Sequence, residues 1–214
     1  MLIYKKNDTF PMIDALDTMY PCYGFRNEKT KHFYFRYSTL YGYTLDKTTI
    51  KTDKEHIIEK NHYFSMPIWS YETQVSGFCF GVFRLGFKGQ KVVGELESKG
   101  RLSYIDGCSD SLLIYPPRLG DPSMSFLHFP TNTEQTFHNH PSIRIGVVVD
   151  GHGIASTNQM EFLLEKDDIF MLREHEIHRF KTGNTEMNII AFHPDGDWGP
   201  TDHNHTMLNR TYIK

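Results

Sequence analysis

Two histidines two residues apart, His138 and His140, stand in the segment Thr136–Gly153, TFHNHPSIRIGVVVDGHG. On a strand, residues i and i+2 face the same way, about 6.5–7 Å apart along the chain. Two imidazoles so placed can close on one divalent ion at about 2.0–2.1 Å. A third ligand has to come from another strand. His178 offers itself in Leu164–Phe180 (LEKDDIFMLREHEIHRF), after a strand predicted at Ile169–Leu172 and a short turn. Glu134 shares the parity of His138 and is a candidate fourth ligand or proton carrier. Arg144 shares that parity too, if the strand runs unbroken through Pro141. A guanidinium about 6 Å from a divalent ion is repelled by roughly 5 kcal/mol at an effective dielectric of 20. Three arrangements relieve this: Arg144 pairs with an acid such as Glu134, or it grips an anionic substrate that bridges to the metal, or no metal binds. His193, closing the segment MNIIAFH, is a candidate proton shuttle or a turn cap. Arg118 is a candidate for the pocket rim. His152 and His175 read as turn residues, and His203 and His205 as part of a polar tail.

These side chains need strands to carry them, and the chain is written mostly in strands. Short apolar or alternating runs are punctuated by Gly, Pro, Asn and Asp about every ten residues, as in an all-β sandwich or barrel. Predicted strands include His32–Tyr37, Phe78–Phe87, Val92–Glu97, Ser111–Tyr115, Ser125–Phe129, Ile143–Val149 and Met187–His193. Helical periodicity is confined to a short helix expected at Pro11–Tyr20 and another near Lys51–Lys60. EKNHYF at Glu59–Phe64 echoes EKDDIF at Glu165–Phe170, which fits two related β-units. The predicted division is a unit over 1–105 with the short N-terminal helix, then a metal-binding barrel and tail over 106–214. The end of that tail is expected to dock on the barrel or on a partner subunit.

Composition narrows the function classes. Of 214 residues, 39% are hydrophobic and 14% aromatic, enough for a packed, enclosed β-core. Lys and Arg total 23 against 26 Asp and Glu, a net charge of −3 that gives no general footprint for nucleic acid or anionic lipid. Neither an apolar membrane span nor a signal-peptide core is legible, so a cytoplasmic location is expected. No glycine-rich nucleotide loop occurs. The widely spaced Cys22, Cys79 and Cys108 read as buried, reduced residues. Nine of the 12 histidines fall between His128 and His205, which raises the prior for a metal site.

The histidine spacing resembles the cupin superfamily. Its first motif, G-x5-H-x-H-x3,4-E-x6-G, is met by His138, His140 and Gly151, with Arg144 in place of the glutamate and Asn132 in place of the first glycine. Its second, G-x5-P-x-G-x2-H-x3-N, is met by His178, with Asp167, Arg173, His175 and Thr182 at the other positions. The resemblance covers about Ser111 to Pro194. It implies a double-stranded β-helix, the cupin jelly roll, as a bicupin whose N-terminal half is degenerate, with Glu72 at the position of His178. It further implies one divalent transition metal on His138, His140 and His178, with Fe(II) favoured and Zn, Mn, Ni or Cu as alternatives. The function it points to is a dioxygenase-type oxidoreductase acting on a small anionic metabolite, with Arg144 and Arg118 binding substrate and Glu134 and His193 moving protons. Alternatives are a metal-dependent isomerase or lyase, and a non-enzymatic sensor. A small-molecule substrate, no nucleic acid or membrane, and a homodimer paired through sheet edges are the expected partners.

Overall fold

The computed structural model describes residues 1–9, 11–196, 199–201, 203–204 and 212. Its strands are β1 (Leu2–Tyr4), β2 (Met12–Ala15), β3 (Cys22–Asn27), β4 (Thr30–Phe33), β5 (Ser38–Thr44), β6 (Thr48–Lys51), β7 (Glu55–Ile58), β8 (His62–Ile68), β9 (Thr73–Ser76) and β10 (Cys79–Leu85). They continue as β11 (Val92–Glu95), β12 (Leu102–Ser103), β13 (Ser109–Ile114), β14 (Ser123–Phe129), β15 (Arg144–Thr157), β16 (Glu161–Glu165), β17 (Ile169–Leu172), β18 (His178–Lys181) and β19 (Met187–His193). One 3-10 turn, Ile105–Gly107, is the only helical element among the described residues.

Both expected helices are strands. Met12–Ala15 alternates, with Ile13 and Ala15 inward and Met12 and Asp14 outward, and it pairs with β3. A period of two and a ready partner outweigh a helical pattern too short to stand alone. Lys51–Lys60 is the turn and second strand of the β6–β7 hairpin. Strand pairing also crosses the expected boundary, because β1 joins β17 of the second half. Of the polar tail, His203 is exposed and His205 lies outside the described residues, while the backbone near its start bonds to the turn of Arg118: Leu119 N–H donates to Pro200 O at 2.9 Å. The three cysteines are buried and free.

The echo between halves reaches the level of sheet order. One sheet runs β11-β8-β5-β10-β3-β2 and the other β1-β17-β15-β19-β14-β13-β12. In each, the strand after the echoed hexapeptide lies beside the central strand, and Phe64 faces Gly42 as Phe170 faces Gly146. A Cβ at Gly42 would sit 2.5 Å from the Phe64 ring, and one at Gly146 would overlap the Phe170 ring, so each glycine is a seat for its aromatic partner. The smaller sheet β4-β9-β6-β7 closes the first barrel, and β16, β18 and the end of β15 close the second. The two large sheets pack back to back, with Tyr41, Phe80 and Val82 against Ile145, Ile190 and Phe192; the Tyr41 and Phe192 rings are 4.9 Å apart.

Positions where the cupin pattern has glycine carry other residues in left-handed backbone: Asn132 at φ 55°, Asp167 at 73° and His175 at 56°. Asn, Asp and His are the non-glycine residues that tolerate this region best. Gly151, at φ 71°, keeps its glycine because a Cβ there would overlap the Glu186 carbonyl oxygen. Gly151→Ala should therefore destabilise the protein by about 2 kcal/mol or more. Gly183→Ala, where an added methyl meets nothing within 4 Å, should stay within about 0.5 kcal/mol. Equal urea midpoints for the two variants would contradict this.

Candidate metal centre

His178 opens β18, and His138 forms an isolated antiparallel bridge to it. The pair exchanges both backbone hydrogen bonds: His138 N–H to His178 O at 3.0 Å and His178 N–H to His138 O at 2.9 Å. His140 is drawn in by the His175 N–H, which donates to its carbonyl at 2.8 Å. The three rings form a triangle with centroids 5.1 Å (138–140), 4.5 Å (138–178) and 5.1 Å (140–178) apart. One ring nitrogen from each lies within 4.8 Å of the others, the one such group among the described residues. Two nitrogens on one ion stand at most about 4.2 Å apart, so binding would draw the rings slightly inward.

The donor chemistry fits a transition metal. His138 Nδ1 lies 2.9 Å from Thr136 O, and His178 Nδ1 lies 2.7 Å from Glu176 O. A carbonyl only accepts, so each Nδ1 carries the proton and each Nε2 presents a lone pair, the outer-sphere arrangement that orients metal-binding imidazoles. Burial pushes His178 down to about 4 and His140 down to about 3, the latter helped by the Arg144 guanidinium and the neighbouring imidazoles. Both rings are neutral and ligation-ready at physiological pH.

The rings edge a cavity of about 70 Å³, whose apolar wall includes Leu127, Phe129, Phe170, Leu172 and Phe180. Arg144 lines it, only 3% exposed. Its Nη1 donates to Ser142 Oγ at 2.5 Å and to the carbonyls of Ser142 and Ile143 at 3.2 and 3.1 Å. Its acid is Asp195, 4.0 Å away on the turn after β19, and Ser142 also donates to Asp195. His193 lines the cavity too, held well below its ordinary pKa by burial, then by Arg144 and His140.

Two expected site residues stand outside the cavity. Glu134 is exposed and ion-paired with Arg179. It lies opposite Lys181 while His138 lies opposite His178, four residues against three, so a bulge breaks the parity that joined Glu134 to the histidines. Arg118 is exposed in its turn, 3.4 Å from Asp121. Sequence reasoning missed two polar liners. Gln135 is buried, its Oε1 accepting the Phe180 N–H at 3.3 Å. Asp110 sits in a segment that reads as turn chemistry, and no signal in one sequence marks it as inward.

The first barrel shows what the same positions become without the site. Phe33 pairs with Thr73 as His138 pairs with His178, so the counterpart of His178 is Thr73, one residue from the expected Glu72. Glu72 is exposed and bonded to His32 and Tyr34. Phe33 and Phe35 replace His138 and His140. Leu40 and Phe83, paired across their sheet, occupy the positions of Arg144 and His193. The lumen there is filled with Phe25, Phe33, Leu40, Phe64 and Phe83.

Residues 123–200 match the family model of the AraC-like ligand-binding domain. In solved structures the fold is similar to a cupin 2 conserved barrel domain protein from Leptotrichia buccalis, at 12% identity and TM-score 0.60, covering 88% of this chain and 90% of that one. It is similar to a protein described as glyoxylate-induced from Pseudomonas aeruginosa, at 12% identity and TM-score 0.67, covering 90% and 82%. Salicylate 1,2-dioxygenase from Pseudoaminobacter salicylatoxidans, in complex with gentisate, is similar at 10% identity and TM-score 0.56, covering 80% and 67%. No curated protein matches the sequence at a significant level.

The buried imidazoles set a pH dependence. In the unfolded chain histidines take up protons near pH 6.5, whereas His140 and His178 resist to about 3 and about 4. Between those limits the unfolded state binds more protons, so stability falls as pH drops, by up to about 1.4 kcal/mol per pH unit per group. Metal-free protein should lose stability from pH 6.5 toward pH 4, and His178→Asn should make that loss shallower. An unchanged slope in urea titrations across this range would contradict the assignment.

Proposed function

We propose, for a chain that is a cupin by fold, that His138, His140 and His178 hold one divalent transition metal and that the protein is a dioxygenase-type oxidoreductase acting on a small anionic metabolite. Fe(II) is the favoured ion, with Zn, Mn, Ni and Cu as alternatives. One observation carries the reading: three imidazoles, two with pKa values lowered by burial and two fixed in tautomer by backbone carbonyls, edge an apolar cavity beside a buried arginine. A metal bound there supplies open coordination positions and Lewis acidity for substrate and dioxygen.

The chain's own residues do the rest. Arg144 orients the carboxylate of the substrate, and its geometry is held by Ser142 and Asp195. His193, neutral and half-buried on the same wall, accepts a proton on its imidazole. The phenylalanine and leucine wall excludes water and strengthens both interactions. Glu134 and Arg118, away from the cavity, drop out of the proposed chemistry. The match of residues 123–200 to a ligand-binding domain favours a second reading, an effector-binding module without turnover.

Protein purified without oxygen should carry close to one equivalent of first-row metal by elemental analysis, and His138→Ala and His178→Ala should each lose most of it. Metal retained in both variants would end the ligand assignment. Oxygen uptake over a panel of small carboxylates supports the oxidoreductase; a rise in melting temperature without uptake supports the effector module. Arg144→Gln should weaken carboxylate ligands roughly tenfold to a hundredfold and neutral ones less than twofold. Equal losses for the two ligand classes would remove Arg144 as the anchor.

A further inference from the structure

Asp110, on β13, lines the wall of the same cavity. Its Oδ1 is buried and has no hydrogen-bond partner. Its strand neighbour across the sheet is Leu127, another cavity residue, so the carboxylate stands in a largely apolar surface. Burial raises its pKa to about 6, against weaker opposition from the Ser125 hydroxyl on β14 and the Ser111 amide. Arg144 and the four histidines share the cavity, with Arg144 bonded to Ser142 and 4.0 Å from Asp195. A buried carboxylate oxygen left without a donor is costly to folding, and structures keep such groups where a ligand completes them.

We propose that Asp110 is the second polar anchor of the ligand, accepting a hydrogen bond from a hydroxyl group on a small carboxylate, so that the site selects short hydroxy acids. The proposal rests on the reading of Arg144 as the carboxylate anchor. A hydroxyl suits the site better than an ammonium, because Arg144 and a bound metal already place positive charge in the cavity. The cavity volume of about 70 Å³ limits the ligand to a few heavy atoms.

The test uses matched acids that differ by one hydroxyl, glycolate against acetate and lactate against propionate, on Zn(II)-reconstituted protein at pH 7.5. In the wild type the hydroxylated member should raise the melting temperature more, as about tenfold tighter binding does. Asp110→Leu should erase that difference while leaving the response to acetate and propionate in place. Without ligand, Asp110→Asn and Asp110→Leu should both melt above the wild type at pH 7.5, with the gain shrinking toward pH 4 as the native carboxyl takes its proton. Equal shifts within each pair in the wild type, zero included, or a hydroxyl preference retained in Asp110→Leu, would overturn the proposal. So would lower melting of both variants, which assigns Asp110 to structure. Metal content is measured on the same preparations: if none is held, the metal reading fails, while the hydroxyl preference is still read on metal-free protein.

Discussion

Two backbone hydrogen bonds between His138 and His178 govern the site. They clamp an otherwise irregular stretch, which bridges to the sheet at Glu134 and His138, onto β18. A residue pair that exchanges both bonds holds its Cα atoms about 5.5 Å apart with side chains on one face. That alone brings two imidazoles from segments 40 residues apart in sequence into ring contact at 4.5 Å. The same backbone supplies the carbonyls of Thr136 and Glu176, each two residues before the histidine it orients. Position, tautomer and protonation state thus follow from one strand pairing and its burial.

The two halves show how little has to change for a barrel to gain or lose such a centre. Sheet order, the glycine seats at Gly42 and Gly146, and the phenylalanines they receive are common to both. The difference lies at a handful of inward positions. Phe33, Phe35, Leu40, Thr73 and Phe83 close the first lumen with apolar contacts, and the Phe33 and Phe83 rings pack at 5.0 Å. The second half puts imidazoles and a guanidinium there and accepts the cost of burying them, offset by the Ser142–Asp195 bonds to Arg144 and by keeping the imidazoles neutral. The filled barrel then serves as a rigid backing, its sheet packed against that of the open one through Tyr41 and Phe192.

Much of this was legible in the residues, because the signals are local. The spacing of His138, His140, Gly151 and His178 located the centre, and β17 and β19 fell on their predicted bounds. The structure adds what the departures from the glycine pattern mean: Asn132, Asp167 and His175 adopt the backbone that glycine would, so a lost glycine is not a lost turn. What failed depended on pairing that a single chain does not display. The helix expected at Pro11–Tyr20 is instead the strand Met12–Ala15, whose four alternating residues are too few to mark a strand until they pair with β3. A bulge carries Glu134 away from the histidines, and Thr73 rather than Glu72 matches His178 because nine positions separate Phe64 from Thr73 where eight separate Phe170 from His178. Asp110 carries no mark in the sequence, since a charged residue near turn formers reads as exposed.

The central claim is that three imidazoles, and no other side chains, bind one ion in this barrel. X-ray absorption at the metal edge of the reconstituted protein tests it directly. The account predicts a first shell of nitrogen and oxygen at about 2.0–2.1 Å, with outer-shell scattering that requires three imidazoles. A shell containing sulfur, or one satisfied by a single imidazole, would contradict it.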